Sequence, residues 1–315
     1  MAEKAEHRGV VVRSTGSWYE VRNDAGQVIS CKFKGKYKIA GIKSTNPIAV
    51  GDYVTFIRQK EEDTAVIDQI LTRSNYIIRK STKLSKQTHI IAANIDHAFL
   101  VITISQPRTS TGFVDRFLLT AAAYHIPVVL VFNKIDINTE KEMAIQQEMI
   151  NTYENIGYHC LQTSALTGEG LEDLKELMKN QTSMFGGHSG VGKSALINAI
   201  QPGVQLRTAE ISDFNQKGRH TTTYAEMHPL DFGGYIIDTP GIKEFGVVDL
   251  EKEVVAGYFP DMERYMHDCK FHNCMHIQEP QCAVKEAVEQ GDIAESRYNN
   301  YLAIVLDEDF NKKPF

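Results

Sequence analysis

A chain of 315 residues, 42% apolar and 23% charged, is long enough for two or three domains and has the composition of a globular rather than a disordered protein. No apolar run approaches the ~18 residues of a spanning helix, the opening Met1 to Arg8 lacks the apolar stretch of a secretory leader, and five cysteines, an odd number, argue against a disulfide framework, so a reducing cytoplasm is expected. The net charge of −6 hides an asymmetry, because residues 1–90 carry 16 Lys/Arg against 9 Asp/Glu and the remainder carry 18 against 31; a basic front on an acidic body suggests a polyanionic partner for the front.

Residues 1–75 read as a small β-barrel. Strand-like runs at Gly9–Arg13, Trp18–Arg22, Val28–Phe33, Asp52–Arg58 and Ala65–Leu71 are separated by turn signals such as Ser14-Thr15-Gly16 and Asn23-Asp24-Ala25-Gly26. Five short strands fit an OB-like barrel, a fold that binds nucleic acid. Lys32, Lys34, Lys36 and Lys38 alternate with Phe33, Gly35, Tyr37 and Ile39, which in an extended chain puts all four ammonium groups on one face. That face suits a phosphate backbone, with an edge strand guarded by lysine as the alternative.

Residues 76–247 carry the chemistry of an α/β domain. Asn133-Lys134-Ile135-Asp136 follows the apolar run Pro127–Phe132, which has the character of a buried parallel strand. A carboxylate at Asp136 accepts two hydrogen bonds from the N1–H and N2–H₂ edge of guanine, whereas adenine would leave it unpaired. Asn133 would support the loop and the Lys134 stem would cover the base. Thr163-Ser164-Ala165-Leu166 then offers backbone N–H groups to guanine O6.

Gly187-His188-Ser189-Gly190-Val191-Gly192-Lys193-Ser194 matches the phosphate loop G-x-x-x-x-G-K-S in full, after a strand-like Thr182–Phe185 and before a helical Ala195–Ile200. Its N–H groups would cradle phosphates, Lys193 would reach the β- and γ-phosphates, and Ser194 would ligate Mg²⁺. In Lys217-Gly218-Arg219-His220-Thr221-Thr222-Thr223 a threonine would complete the Mg²⁺ shell, and Thr222 is favoured among the three. Asp238-Thr239-Pro240-Gly241 supplies a further Mg²⁺-side carboxylate, Asp238, and a γ-phosphate sensor, the Gly241 N–H. The base-reading motifs precede the phosphate loop, the reverse of the common GTPase order, so the domain reads as circularly permuted. The chain leaves it just after Gly241, where a γ-phosphate contact would pull on the following segment. Ile242 stands where Ras-like enzymes carry the water-orienting glutamine, which makes His220 the candidate for that task and Arg219 a candidate for stabilising charge.

Residues 248–315 hold Cys269, Cys274, His276 and Cys282, soft ligands suited to a closed tetrahedral Zn²⁺ of structural type. Buried free thiols or a redox pair are the alternatives, His267 and His272 are competing ligands, and Cys31 and Cys160 are expected only to pack. Ala283–Gln290 and Ile293–Leu306 read as helices, with Tyr298, Tyr301, Leu302 and Val305 as a packing stripe.

These motifs, together with Gly218 to Thr223 and the stretch Glu279-Pro280-Gln281-Cys282-Ala283-Val284, make the whole chain resemble the RsgA (YjeQ) family of bacterial small-subunit-dependent GTPases. The resemblance implies an OB-like front, a permuted P-loop GTPase and a zinc-binding helical tail. It also implies a monomeric cytoplasmic protein that binds the small ribosomal subunit and its rRNA late in maturation, among other assembly factors, and hydrolyses GTP to GDP under stimulation by that particle. Two other classes stand against it. A P-loop ATPase or kinase is opposed by Asp136, and an RNA-binding protein with a degenerate nucleotide site is opposed by the intact Lys193, Ser194 and Asp238.

Overall fold

Short apolar and β-branched runs bounded by turns near the start of the chain make five strands, β1 (Glu6–Ser14), β2 (Tyr19–Asn23), β3 (Val28–Phe33), β4 (Tyr53–Arg58) and β5 (Thr64–Ile70). Hydrogen bonds join them in the order β1-β2-β3-β5-β4 and β4 returns to β1, so the barrel is closed; β3 and β5 run parallel and the other pairs antiparallel. Closure removes the exposed edges. Val11, Tyr19, Val21, Cys31, Val54 and Phe56 fill the interior. Gly9 is required where β1 crosses β2, because a Cβ there would lie 2.6 Å from the Arg22 carbonyl oxygen.

The computed structural model describes residues 6–33, 47–59, 64–80, 88–204, 225–238 and 250–307. It forms two units, one of Met1–His97, Leu174–Phe185 and Ile197–Gly246, the other of Ala98–Asp173, Gly186–Leu196 and Val247–Phe315. The elements after the barrel are, in chain order, β6 (Tyr76–Lys80), β7 (Thr88–Ala93), β8 (His97–Ile102), α1 (Thr111–Ala123), β9 (Val128–Asn133), α2 (Glu140–Asn155), β10 (His159–Thr163), α3 (Leu171–Met178), β11 (Thr182–Gly186), α4 (Lys193–Ile200), β12 (Glu226–Pro229), β13 (Tyr235–Asp238), α5 (Pro260–Met266), α6 (Ala283–Gln290) and α7 (Glu295–Leu306).

In the first unit β1 carries a β-bulge between Val11 and Arg13 and keeps its pairing with β2 beyond it. Arg13 then pairs in register with Glu226 of β12, with Arg13 Nε 3.1 Å from a Glu226 carboxylate oxygen. β12 pairs antiparallel with β13, and β13 runs parallel to β11. The hairpin β6–β7, which alternation did not reveal, is pinned by side-chain amides. Asn75 exchanges two 2.8 Å bonds with the backbone of Ile95, and Asn94 reaches the Gly51 carbonyl at 2.9 Å.

In the second unit β8, β9 and β10 form a parallel sheet in the order β10-β9-β8. Phe99 to Ile102 and Val129 to Phe132 are buried, which is why these strands read as unbroken apolar runs. Ser110 caps α1, and Thr139 with Glu142 forms a capping box at α2. Towards the C-terminus, Val255, Phe259, Met262, Val284, Tyr301 and Ile304 form one core, against which Tyr298 and Leu302 pack with Val305. The expected stripe on α7 is therefore a packing face. Among the described residues no helix is long and apolar enough to cross a membrane.

Candidate nucleotide and metal sites

The phosphate loop sits between β11 and α4. Gly187, Gly190 and Gly192 have φ of +130°, +85° and +99°. A Cβ at Gly187 would lie 2.5 Å from the Val101 carbonyl oxygen, and one at Gly192 would overlap the Asn133 amide nitrogen. Glycine is thus demanded by conformation and by close approach together. No backbone N–H from Ser189 to Ser194 meets an acceptor among the described residues, so these donors remain to receive an anion. Lys193 folds back and donates to the carbonyls of Gly187 and His188, both at 2.7 Å, and burial lowers its pKa. The His188 ring lies on Phe113 with centroids 3.8 Å apart; burial and then the Lys193 charge lower its pKa, which favours the neutral imidazole. Val191 is buried, Ser189 and Ala195 are exposed, and Ser194 is half-buried in the first turn of α4.

The Asn-Lys-x-Asp loop meets this loop directly. Asn133, at the end of β9, is 2% exposed; its amide donates to the Val191 carbonyl at 2.9 Å and its oxygen accepts from Thr163 Oγ1 at 3.1 Å. One side chain therefore joins the Asn-Lys-x-Asp loop, β10 and the phosphate loop. Lys134 takes left-handed φ of 64° and donates to the Gln106 carbonyl at 2.7 Å. Pro107, next in sequence, stands against Gly190. Asp136 is exposed, and its Oδ1 accepts from Ser164 Oγ at 2.6 Å. The same Ser164 oxygen accepts from the N–H groups of Leu166 and Thr167, while Ser164 N–H is spent on the Glu169 carbonyl. Among the described residues this leaves the Ala165 N–H open, which narrows the expected contact to guanine O6 to one donor.

Asp238 is half-buried at the end of β13, in register with Glu226. Lys32 is exposed on β3, its ammonium 4.3 Å above the Trp18 ring. His220, Thr222, Gly241, Lys34, Lys36 and Lys38 lie outside the described residues.

The ligand atoms of Cys269, Cys274, His276 and Cys282 lie within 4.8 Å of one another. Cys269 and Cys282 Sγ are 3.9 Å apart, and His276 Nδ1 is 3.6 Å from Cys269 Sγ and 3.4 Å from Cys282 Sγ. A tetrahedron with Zn–S of about 2.3 Å has an edge of about 3.8 Å, so the donor set has the size and softness of a closed zinc site. His267 and His272 are not in it. Glu279 was part of the motif without a role. Its carboxylate accepts N–H bonds from Met275, Ile277 and Gln278 at 2.8–3.0 Å and shapes the loop, and the hydroxyls of Tyr298 and Tyr301 hold the carbonyls of His276 and Met275. Cys31 is buried in the barrel and Cys160 half-buried on β10, and burial pushes each thiol up to about 12, as inert packing residues.

A sequence model described as RsgA GTPase matches residues 70–248, and one described as RsgA N-terminal domain matches residues 8–67. The chain is 52% identical over 305 residues to the small ribosomal subunit biogenesis GTPase RsgA of Bacteroides fragilis, covering 97% of this chain and 98% of that one. It is 53% identical over 303 residues to the protein of the same description from Flavobacterium psychrophilum, covering 96% and 93%. Among solved structures it resembles YjeQ from Thermotoga maritima, with 37% identity, TM-score 0.81 and coverage of 98% and 100%. It also resembles YloQ, described as a circularly permuted GTPase, with 28% identity, TM-score 0.76 and coverage of 100% and 99%.

Proposed function

We propose, on the premise that the chain belongs to the RsgA GTPase family and is a circularly permuted GTPase, that it works as a GTP-dependent switch in late maturation of the small ribosomal subunit. Guanine lies against Asp136 with O6 towards the Ala165 N–H, and the Lys134 stem covers the base. The phosphates lie on Gly187 to Lys193. The observation that carries this reading is the Asn133–Val191 bond, which fixes the base-reading loop to the phosphate loop at a separation set by the fold.

Ser194, Thr222 and Asp238 are the residues that would hold Mg²⁺, and the ion would supply neutralisation of phosphate charge. Lys193 stabilises charge on the transferred group. Ile242 has no polar atom to orient water, so His220 takes that task. Gly241 senses the γ-phosphate at the exit to the C-terminal segment. Cys269, Cys274, His276 and Cys282 bind one structural zinc. The barrel of residues 1–75 meets rRNA through Lys32, Lys34, Lys36 and Lys38, residues 76–247 form the GTPase domain and residues 248–315 the zinc domain. The protein acts as a cytoplasmic monomer, alongside other assembly factors, and the subunit stimulates hydrolysis through the switch loop.

Steady-state GTP turnover with and without purified small subunits tests the reading. Slow intrinsic turnover should rise with subunits, and His220→Ala should lose the rise while keeping GDP affinity. Equal rates in both conditions would remove the subunit from the mechanism, and full stimulation of His220→Ala would remove His220.

A further inference from the structure

A buried ion bridge joins the C-terminal helices to the helix that supports the phosphate loop. Asp115 on α1 is 1% exposed and accepts from Arg297 Nη1 at 2.6 Å, Tyr153 OH at 2.9 Å and Asn300 Nδ2 at 2.6 Å. Arg297, on α7, turns its other edge to Asp261 of α5 in two bonds of 2.7 and 3.0 Å. Burial pushes the Asp115 carboxyl up and the Arg297 charge pulls it back. One guanidinium thus holds two carboxylates in a dry setting, a geometry with little freedom, since moving any member strands a buried charge.

The same helix α1 touches the phosphate loop and the end of the strand that leads into it. Phe113 carries the His188 ring, and Phe117 packs so closely on Gly186 that a Cβ there would overlap it. Helix α7, for its part, holds the metal-site loop through Tyr298 and Tyr301. We propose that Asp115 and Arg297 are positioning residues for the phosphate loop. The bridge fixes α1, α1 fixes Gly186 and His188, and the C-terminal helices thereby govern how tightly the loop receives a guanosine di- or triphosphate. The inference rests on the phosphate loop being the GTP site.

Five proteins test it, namely the full chain, Arg297→Lys, Phe113→Leu, Asn300→Ala and the double variant Arg297→Lys/Phe113→Leu, with KM and kcat for GTP and Kd for GDP measured on each. Arg297→Lys should raise both KM and Kd about tenfold, within the usual range of coupling between sites, with kcat within about twofold. Asn300→Ala, which keeps both ion pairs, should shift them in the same direction by about threefold. The double variant should be no weaker than its weaker parent, because both changes interrupt one path. A merely architectural bridge would lower the folded fraction, so that apparent kcat falls while KM and Kd stay put, and that result overturns the proposal. If Arg297→Lys does not fold, an unmoved Kd in Asn300→Ala overturns it alone. Failure of the unaltered chain to bind GDP would instead bring down the nucleotide-site reading beneath it.

Discussion

Replacing Asp136 with asparagine isolates the choice of base. The Ser164 hydroxyl occupies one acceptor position of the carboxylate at 2.6 Å, and the remaining lone pairs are available to guanine N1–H and N2–H₂. The amide oxygen of asparagine can keep the Ser164 bond, so the loop should stay in place. Its NH₂ group, however, meets the guanine N2–H₂ with a donor, and its oxygen offers N1–H a neutral acceptor in place of a charged one, so both charge-assisted bonds are lost. Each charge-assisted bond contributes about 1.5–3 kcal/mol. Asp136 is exposed before the base arrives, which favours the lower end, so the pair amounts to about 3 kcal/mol. GDP affinity should therefore fall roughly 10²-fold. Xanthine presents an N1–H donor and a C2 carbonyl acceptor, which match the asparagine oxygen and NH₂. Fluorescence competition with GDP, XDP and ADP on both proteins would show GDP far ahead in the parent, XDP ahead of GDP in the variant and ADP poor in both. Unchanged GDP affinity, or equal loss of GDP and XDP, would mean that position 136 does not read the C2 substituent.

Cys274→Ser should cost the protein its zinc and lower the unfolding temperature, since the loop held by Tyr298 and Tyr301 loses its anchor; metal analysis finding full zinc in the variant would exclude Cys274 as a ligand. Gly192→Ala introduces a Cβ at φ +99° against Asn133, so GDP binding should be abolished and stability reduced by about 2 kcal/mol, as denaturant unfolding would register. Backbone and side-chain bonds from Thr139, and one from Ser105, hold the Glu142 carboxyl below its usual range. Because the folded pKa is depressed, its stabilisation is present above the ordinary glutamate value and disappears as pH falls through the lowered one; Glu142→Gln should flatten that part of the stability–pH curve, and an identical curve would show that the capping box contributes nothing there.

Contiguous signals were legible in the sequence because local chemistry dictates them. The phosphate loop, Asn133 to Asp136 and the cysteine–histidine spacing each require particular residues at particular offsets, and strand-like runs between turn signals marked all five barrel strands, four to within a residue and β1 short by three at its start. What stayed hidden depends on pairing across the chain. Asp115 and Arg297 lie 182 positions apart and look like surface charges on two helices until packing buries them. The hairpin β6–β7 owes its place to the amides of Asn75 and Asn94, which sequence reasoning treats as turn residues. Ser164 shows the same limit at finer scale. Its motif promised backbone donors to the base, but the N–H groups of Ser164, Leu166 and Thr167 are consumed within the loop, and among the described residues only that of Ala165 is left for that purpose.

A crystal structure with GDP bound puts the central claim to its most direct test. The base should lie with N1 and N2 within hydrogen-bond distance of the Asp136 carboxylate while the β-phosphate rests on the N–H groups of Gly190 to Lys193 and on Lys193 Nζ. Electron density for the nucleotide that engages only one of these two ends, or neither, would contradict the account.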